Sequence, residues 1–230
     1  MPLPYFYVEQ LDQRQIVLNE DTSKHVVSVL RMQRGEAMLL TDGKGQRVRA
    51  EIIDDNRKRC TVQTATPETE EKRTLPAIGI SLIKNASRFE WFLEKATEIG
   101  VSEILPLLCD RTEKEKFRHD RLNGILISAM LQSQQCWLPV LHEPLPFSKA
   151  ILSEANNRFI AHCLPGEKND LSSEGHNRQG RSLLLIGPEG DFTPAEIEAA
   201  LKQEFRPVSL GATRLRTETA ALVGLVQLQA

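Results

Sequence analysis

The sequence predicts an α/β protein of two domains, a small β-barrel over residues 1–72 and a parallel α/β domain over residues 73–230. Three observations support this prediction. Residues 47–53 alternate polar and apolar side chains with the period of a half-buried strand. Residues 66–76 are polar, charged and bracketed by prolines, as expected of a boundary. Beyond them, apolar runs alternate with helical patterns, which indicates βα units.

The first domain shows short strands, turns and one short helix. Residues 39–45 predict a strand that runs into a hairpin turn, because Asp42-Gly43 supplies the positive φ that such a turn needs. A helix is predicted over residues 23–31, with Val26, Val27 and Leu30 on its inner side. These elements favour a small barrel.

Charge is distributed unevenly along the chain. The net charge is −2 overall, but residues 24–59 contain nine Lys/Arg and five Asp/Glu, so that 9 − 5 = +4. A local basic surface is compatible with docking on phosphates. A solvated sheet face explains the same pattern equally well.

The second domain begins with a predicted strand over residues 77–83. Ser87-Arg-Phe-Glu90 fits a capping box at the start of a helix that ends at Gly100. Further strands are predicted over residues 101–108, 158–163, 182–186 and 208–210. A helix is also predicted over residues 118–134. Its inward-facing side chains should be Leu122, Ile125, Leu126, Ala129 and Met130.

Two more helices complete the domain. Thr193-Pro-Ala-Glu196 is a capping box with proline at the first helical position, and Ile197, Leu201 and Phe205 form the inner stripe of that helix. The final helix, residues 218–229, is apolar nearly all round. Such a helix is usually buried on every side, which predicts coverage by a second subunit.

Composition excludes several classes of protein. The chain has ordinary hydrophobic and charged fractions and no apolar run of eighteen residues, so a membrane span is not expected. The first residues do not resemble a secretory signal, and a cytoplasmic location is expected. Four scattered cysteines without a Cys-x-x-Cys pair, and histidines without a His-x-x-x-His pattern, predict no metal site.

Two glycine segments are the candidate ligand site. Gly187-Pro-Glu-Gly190 and Gly211 both follow predicted strands, and ligands of parallel sheets lie at the carboxyl ends of strands. Glycines there let a ligand approach the backbone, whose free groups can recognise an adenine edge. Simple left-handed turns are the alternative, and the nearby polar segment Arg216-Thr-Glu-Thr219 favours a site. Neither a Gly-x-Gly-x-x-Gly nor a phosphate loop is present, which disfavours dinucleotides and triphosphates.

Residues 185–196 and 210–220 closely resemble the two signature segments of the ribosomal RNA small subunit methyltransferase E family, within the SPOUT methyltransferases. Residues 25–35, 40–45 and 88–100 add further similarity in the same order. The chain departs from the usual pattern where Leu131 replaces an acidic residue and Gln135 replaces an arginine. Residues 212–216, Ala-Thr-Arg-Leu-Arg, also differ from the usual Pro-Arg-Ile-Leu-Arg. The resemblance thus covers nearly the whole chain.

The resemblance implies a SPOUT-type α/β domain closed by a trefoil knot, preceded by a PUA-like barrel that docks on RNA. It implies S-adenosylmethionine as methyl donor without a metal, and a homodimer. The implied reaction is N3-methylation of one uridine, number 1498, in 16S rRNA of the small ribosomal subunit. Composition and spacing alone do not indicate a knot.

The resulting site residues fall into three groups. Arg216 is expected to stabilise charge on the uracil oxygens, and Glu218 is the nearest proton acceptor; a structural ion pair is the alternative for both. The expected cofactor contacts are Leu164, Ile186, Gly187, Pro188, Glu189, Gly190, Leu210, Gly211, Leu215, Arg216 and Thr219. The expected RNA contacts are Arg31, Arg34, Lys44, Lys84 and Arg88.

Two competing functions stay open from the sequence. The chain could be a non-catalytic dimeric RNA-binding protein that uses the barrel, with the second domain as a dimerisation platform. Saturable binding of S-adenosylmethionine would separate this reading from the enzyme. A phosphate-binding α/β enzyme is the weaker alternative, because the phosphate loops are missing.

Overall fold

The computed structural model describes residues 3–71, 76–113, 116–174 and 180–229. The chain forms two compact units. The first contains residues 1–73 together with residues 130–138, and the second contains residues 74–129 and 139–230. The fold is mixed α/β, as the sequence predicts, with one sheet in each unit.

The sheet of the first unit has six strands: β1 (Tyr5–Tyr7), β2 (Gln15–Val17), β3 (Ala37–Thr41), β4 (Gln46–Asp54), β5 (Thr61–Thr64) and β6 (Glu68–Thr69). Their order is β1-β3-β4-β5-β2, and β6 pairs with β4. Only the β1–β3 pair is parallel among these strands. The predicted alternation is confirmed, since Val48, Ala50 and Ile52 are buried while Arg49 and Glu51 are exposed.

The predicted hairpin joins β3 to β4. The strands pair antiparallel, and Gly43 and Gly45 in the turn have φ values of 69° and 92°. A Cβ on Gly45 would lie 2.2 Å from the ring of Trp137. Leu138 N–H also donates to the Gly43 carbonyl at 2.8 Å. These contacts fasten residues 130–138 to the first unit.

The predicted helix over residues 23–31 differs from the observed one. Helix α1 (Glu20–Lys24) begins after Asn19, whose side chain accepts from Thr22 N, and continues as a π-helix over His25–Val29. Val26 is fully buried, but Leu30 is 42% exposed, so its inward prediction was wrong. The wider π turn changes the angular spacing of side chains, and a stripe drawn for 3.6 residues per turn fails there.

The second unit contains eight strands and five helices within the described residues. The strands are β7 (Ala77–Ser81), β8 (Glu103–Leu108), β9 (Val140–Leu141), β10 (Leu145–Pro146), β11 (Asn157–Ala161), β12 (Asn169–Asp170), β13 (Ser182–Ile186) and β14 (Arg206–Ser209). The helices are α2 (Ala86–Ile99), α3 (His119–Gln132), α4 (Phe147–Ala150), α5 (Pro194–Lys202) and α6 (Thr217–Gln229), and one 3₁₀ turn covers Leu171–Glu174.

All pairs in this sheet are parallel. The order is β10-β8-β7-β13-β11-β14-β12, with β9 on β8. Strand β13 is buried along its whole length between β7 and β11. The carboxyl ends of β11, β13 and β14 therefore lie at one edge of the sheet.

The start of α2 corrects a prediction. Asn85, not Ser87, caps this helix, and its side chain accepts from Ser87 N at 3.0 Å. Glu90 does not reach back to the helix start, because its carboxylate accepts from Arg121 at 2.9 Å. The predicted end at Gly100 is confirmed, with φ 97°.

The capping box of α5 is confirmed, and Thr193 and Glu196 make both reciprocal bonds. The predicted inner stripe of α5 is only partly confirmed, because Ile197 and Phe205 are buried but Leu201 is 44% exposed. The buried arc is centred near Ala200, and Leu201 follows it by about 100° around the helix. In α3, Leu122, Leu126, Ala129 and Met130 are buried as predicted, and Ile125 is half-buried.

Helix α6 packs against α2 and β13. A Cβ on Gly224 would lie 2.2 Å from Leu184 of β13, so glycine permits this close approach. On the other side of α6, Val226 is 51% exposed. In the described part of the chain, no helix combines the length and apolar character needed to cross a bilayer.

Candidate active site

A cavity of about 680 Å³ lies at the carboxyl ends of β11, β13 and β14. Its walls are the end of β11, the turn after β13, and the segment between β14 and α6. The lining residues include Gly187 and Gly211, so the two glycine turns share one hollow, as the sequence predicts. The volume is in the range of pockets that enclose small-molecule ligands.

The first turn, residues 187–191, is held from several sides. Gly187 is packed so tightly that a Cβ would lie 3.1 Å from the backbone nitrogen and the ring of Phe192. Asp191, with φ 64°, accepts from the N–H of Cys163 at 2.8 Å and thereby ties this turn to the end of β11. Arg111 donates to the Gly190 carbonyl at 2.6 Å.

The start of α6 is also fastened to the first turn. The Thr217 hydroxyl donates to the Gly187 carbonyl at 3.1 Å. Ala220 N–H donates to the Arg216 carbonyl at 2.7 Å, so Arg216 occupies the entry to the helix. These two bonds place Arg216 beside the first turn although it follows the second one in sequence.

The second turn is more open. Gly211 has φ 129°, and a Cβ placed on it would meet nothing within 4 Å. Glycine is therefore favoured there by the backbone conformation and not by packing. Residues 211–214 are exposed, and both Arg214 and Arg216 line the cavity. Two guanidinium groups thus make this wall cationic.

Glu218 lies apart from the cavity lining. It is 6% exposed, and one carboxylate oxygen is 3.8 Å from Nε of Arg88 on α2. The other oxygen is buried and has no hydrogen-bond partner among the described residues. The predicted pair is thereby divided, with Arg216 on the cavity wall and Glu218 turned towards Arg88.

Comparison with known proteins gives the same assignment over both units. An RNA methyltransferase domain matches residues 70–229, and an RNA methyltransferase PUA domain matches residues 18–64. A ribosomal RNA small subunit methyltransferase E of Synechocystis sp. is 30% identical over 228 residues, which cover 96% of this chain and 75% of that protein. The chain belongs to the ribosomal RNA small subunit methyltransferase E family. A Bacillus subtilis protein of the same name is 27% identical over 87% of this chain and 84% of its own length.

Solved structures agree with this assignment to the methyltransferase E family. A probable rRNA-methyltransferase from Porphyromonas gingivalis is 39% identical, with a TM-score of 0.93 over 99% of this chain and 97% of that one. A ribosomal RNA small subunit methyltransferase E from Neisseria gonorrhoeae was solved bound to S-adenosyl methionine. It is 26% identical, with a TM-score of 0.88 over 99% of this chain and 97% of that one.

Most of the predicted cofactor contacts of this methyltransferase E family member line the cavity, and three do not. Leu164, Gly190 and Thr219 are outside the lining. Leu164 is 37% exposed, and the Gly190 carbonyl is occupied by Arg111. The predicted residues that do line the cavity are Ile186, Gly187, Pro188, Glu189, Leu210, Gly211, Leu215 and Arg216.

The cavity is also lined by His162, Cys163 and Lys168, which are not among the predicted site residues. Alternation along a strand would have placed His162 and Cys163 on opposite faces. Strand β11 ends at Ala161, however, and both residues line the cavity. Their position directly after a parallel strand could have indicated that they line the ligand site.

His162 is half-buried, and its Nδ1 has no hydrogen-bond partner among the described residues. Burial lowers the pKa of this imidazole, and the nearby Lys168 charge lowers it further. Asp191 opposes this shift. A neutral imidazole at neutral pH is the consequence, and it adds no positive charge to the site.

The predicted RNA contacts of the first unit lie at two separate ends of its sheet. Arg31 and Arg34 precede β3, whereas Lys44 lies in the hairpin turn after β3, at the other end of the same strand. Lys84 forms an exposed ion pair with Glu113 at 2.8 Å, and Arg88 faces Glu218. Within the described ranges, no group of three or more acidic, histidine or cysteine side chains is arranged to hold a metal ion.

Proposed function

We propose that this chain transfers a methyl group from S-adenosylmethionine to N3 of a uridine in 16S rRNA of the small ribosomal subunit, with uridine 1498 as the expected target. The observation that supports this proposal is the shared cavity of Gly187 and Gly211, with Arg214 and Arg216 on its wall. Two relatives of the same fold, from Legionella pneumophila and Neisseria gonorrhoeae, were solved with this cofactor.

The cavity suits a methyl donor of this kind. The two turns that carry Gly187 and Gly211 bring the main chain to the cavity wall, where backbone groups can bind an adenine ring without side chains. The carboxylate of Glu189 lines the same cavity and favours a cationic sulfonium over a phosphate. When bound, the cofactor supplies an already activated methyl group, so the chain's own residues need only orient and stabilise the acceptor.

Arg216 is the proposed catalytic residue. Removal of the N3 proton spreads negative charge onto the uracil oxygens, and the Arg216 guanidinium on the cavity wall can stabilise that charge. Arg216 is exposed and lines the cavity, so an RNA base can reach it. It has no acceptor capacity and cannot be the base.

Glu218 is the proposed proton acceptor, and this role requires it to leave Arg88, because its carboxylate lies outside the cavity lining. Arg88 is 3.8 Å away with 40% of its side chain exposed, which is a loose contact that an RNA phosphate can compete for. When Arg88 turns to the phosphate, the Glu218 carboxylate is released from this ion pair and can turn to the acceptor base. The Glu218→Gln variant should then lose activity without losing cofactor affinity.

A homodimer in the cytoplasm, where ribosomal subunits assemble, completes the proposal. Helix α6 has apolar side chains nearly all round, and Val226 remains 51% exposed in the single chain. Coverage by a second copy would bury this face. Sedimentation equilibrium should give twice the mass of 25.9 kDa. A monomer at micromolar concentration would refute this part.

The decisive experiment is nucleoside mass spectrometry of 16S rRNA from a strain that lacks the gene. We expect 3-methyluridine to disappear and to return when the wild-type gene is supplied. Isothermal titration of the purified chain with S-adenosylmethionine should show saturable binding. A retained 3-methyluridine signal would refute the target, and absence of cofactor binding would refute the enzyme and favour the non-catalytic RNA-binding protein.

A further inference from the structure

The two turns of the cavity carry side chains of opposite charge. Strand β11 lies between β13 and β14 in the sheet, so the first and second turns lie on either side of its end. The strands that lead into these turns are two strand spacings apart, or about 10 Å. Glu189 on the first turn and Arg214 after the second are both exposed and line the cavity. A ligand in the cavity therefore meets a carboxylate on one wall and a guanidinium on another.

Neither of these charges is neutralised inside the protein. Within the described ranges, Glu189 and Arg214 form no ion pair, and their side chains make no hydrogen bond. A guanidinium has five donors and no acceptor, so a ligand must offer it an oxygen acceptor. A carboxylate is the matching partner, because its two oxygens accept two parallel bonds from the planar group.

The other charged side chains of the lining, apart from Arg216, are already engaged. The two oxygens of Asp191 accept from the N–H groups of Cys163 and Phe192, both at 2.8 Å. The Lys168 ammonium donates to the Leu164 carbonyl. A ligand with charged groups therefore finds its available partners on the first turn and on the second wall.

The two arginines of the second wall are held differently. The Arg216 carbonyl accepts from Ala220 N–H, and the adjacent Thr217 hydroxyl donates to the first turn, so the backbone of Arg216 is fixed at the entry to α6. Arg214 follows the open turn at Gly211, where a Cβ would meet nothing within 4 Å. Arg214 can therefore move with this turn towards a bound ligand, whereas Arg216 stays at the place proposed for the uracil.

We propose that Arg214 binds the α-carboxylate of the methyl donor and thereby selects donors that carry a complete amino-acid end. This end of S-adenosylmethionine is a zwitterion, so its carboxylate matches Arg214 while its ammonium and sulfonium groups match Glu189. A phosphate of the RNA is the competing partner for Arg214, but the Glu189 carboxylate in the same cavity disfavours a polyanion. The inference rests on the proposed function and deepens it, because it assigns one arginine to the donor and leaves Arg216 for the acceptor base.

Calorimetric titration with two donors tests this pairing. Decarboxylated S-adenosylmethionine retains the adenosine, the sulfonium and the ammonium group and lacks only the carboxylate. The wild type should bind it roughly 10-fold more weakly than S-adenosylmethionine, as expected when one hydrogen bond between charged groups is lost. In Arg214→Gln this difference should disappear, because only the carboxylated donor loses affinity. A difference that persists in Arg214→Gln would overturn the proposal.

Two further variants make the result specific to the guanidinium. Arg214→Lys keeps the charge but not the planar pair of donors, and it should restore part of the preference for the carboxylated donor. Arg118→Gln removes an exposed arginine outside the cavity lining and should bind both donors as the wild type does. Loss of the preference in Arg118→Gln would attribute it to overall charge and contradict the assignment. Unchanged affinity for both donors in Arg214→Gln, with a raised KM for rRNA, would assign Arg214 to an RNA phosphate instead.

Failure of this inference differs from failure of the proposed function. If the wild type binds neither donor, the assignment of the cavity to a methyl donor is wrong. If the wild type binds S-adenosylmethionine and methylates rRNA, but Arg214→Gln keeps the full preference for the carboxylated donor, only the role of Arg214 is wrong. Arg216→Ala should keep that preference while methyl transfer falls. Loss of the preference in Arg216→Ala and its retention in Arg214→Gln would exchange the roles of the two arginines.

Discussion

The two glycine turns of the cavity differ in how firmly they are held. The first turn is fastened by hydrogen bonds from Arg111, Cys163 and Thr217, and Phe192 packs beneath Gly187. The second turn is exposed, and space is open around Gly211. We infer that the first turn is a rigid wall that defines the shape of the pocket. The second turn supplies charge and can adjust when a ligand binds.

The largest expected effect comes from the charge on the second wall. Arg216→Ala should reduce the rate of methyl transfer by about 100- to 1000-fold, the usual loss for one group that stabilises a developing anion. Affinity for S-adenosylmethionine should fall much less than the rate, because Arg216 is only one of the eight predicted cofactor contacts that line the cavity. Single-turnover assays with the control Arg118→Ala, an exposed arginine outside the cavity, will test this. Unchanged turnover in Arg216→Ala would exclude it from catalysis.

Adding a single methyl group to the first turn should destabilise the protein. Gly187→Ala places a Cβ 3.1 Å from the Phe192 backbone and ring, and these atoms are held by neighbouring structure. Overpacking of this kind costs about 1–3 kcal/mol of the free energy of unfolding. Urea titration should show the loss, and calorimetry should show weaker cofactor binding. A stable variant with unaltered affinity would contradict a rigid first wall.

The same substitution on the second turn should be milder. Gly211→Ala meets no neighbouring atom, and its only cost is the backbone conformation at φ 129°, about 1 kcal/mol in an exposed turn that can relax. Urea titration of both variants gives the comparison directly. A larger loss for Gly211→Ala than for Gly187→Ala would reverse the roles assigned to the two turns.

The smallest expected effect is a pH dependence from His162. Burial holds the pKa of His162 below its ordinary value of 6.5, so the folded state stays neutral while the unfolded chain takes up a proton. Stability is therefore complete above pH 6.5 and declines as the pH falls through that value. The free energy of unfolding of the His162→Gln variant should decline less steeply between pH 7.5 and 5 than that of the wild type. Parallel curves for the two proteins would show that His162 contributes nothing.

Local signals in the sequence predicted much of the fold. Strand β13 has its predicted bounds, and the Thr193–Glu196 capping box forms as expected, because both depend on neighbouring residues. The prediction of the α2 cap was wrong because Asn85 and Ser87 are both suitable capping residues, and nothing in the spacing favours one of them. The attachment of residues 130–138 to the first unit was not predictable, since the contact of Trp137 with Gly45 joins residues distant in sequence.

The site was predictable to a similar extent. Both glycine turns and Arg216 lie on one cavity, because the carboxyl ends of neighbouring parallel strands converge. Arg214, His162 and Lys168 were missed, since the side chains that point into a hollow depend on where each strand stops. Arg31 and Lys44 lie at opposite ends of β3, and this was not predicted because sequence spacing does not specify strand register.

Hydrogen exchange of the purified protein with and without S-adenosylmethionine tests the shared pocket most directly. We predict that the cofactor slows amide exchange in both residues 187–191 and residues 209–213, with the larger change in the second, more exposed turn. Protection confined to one turn, or found only elsewhere in the chain, would contradict a single pocket built from both.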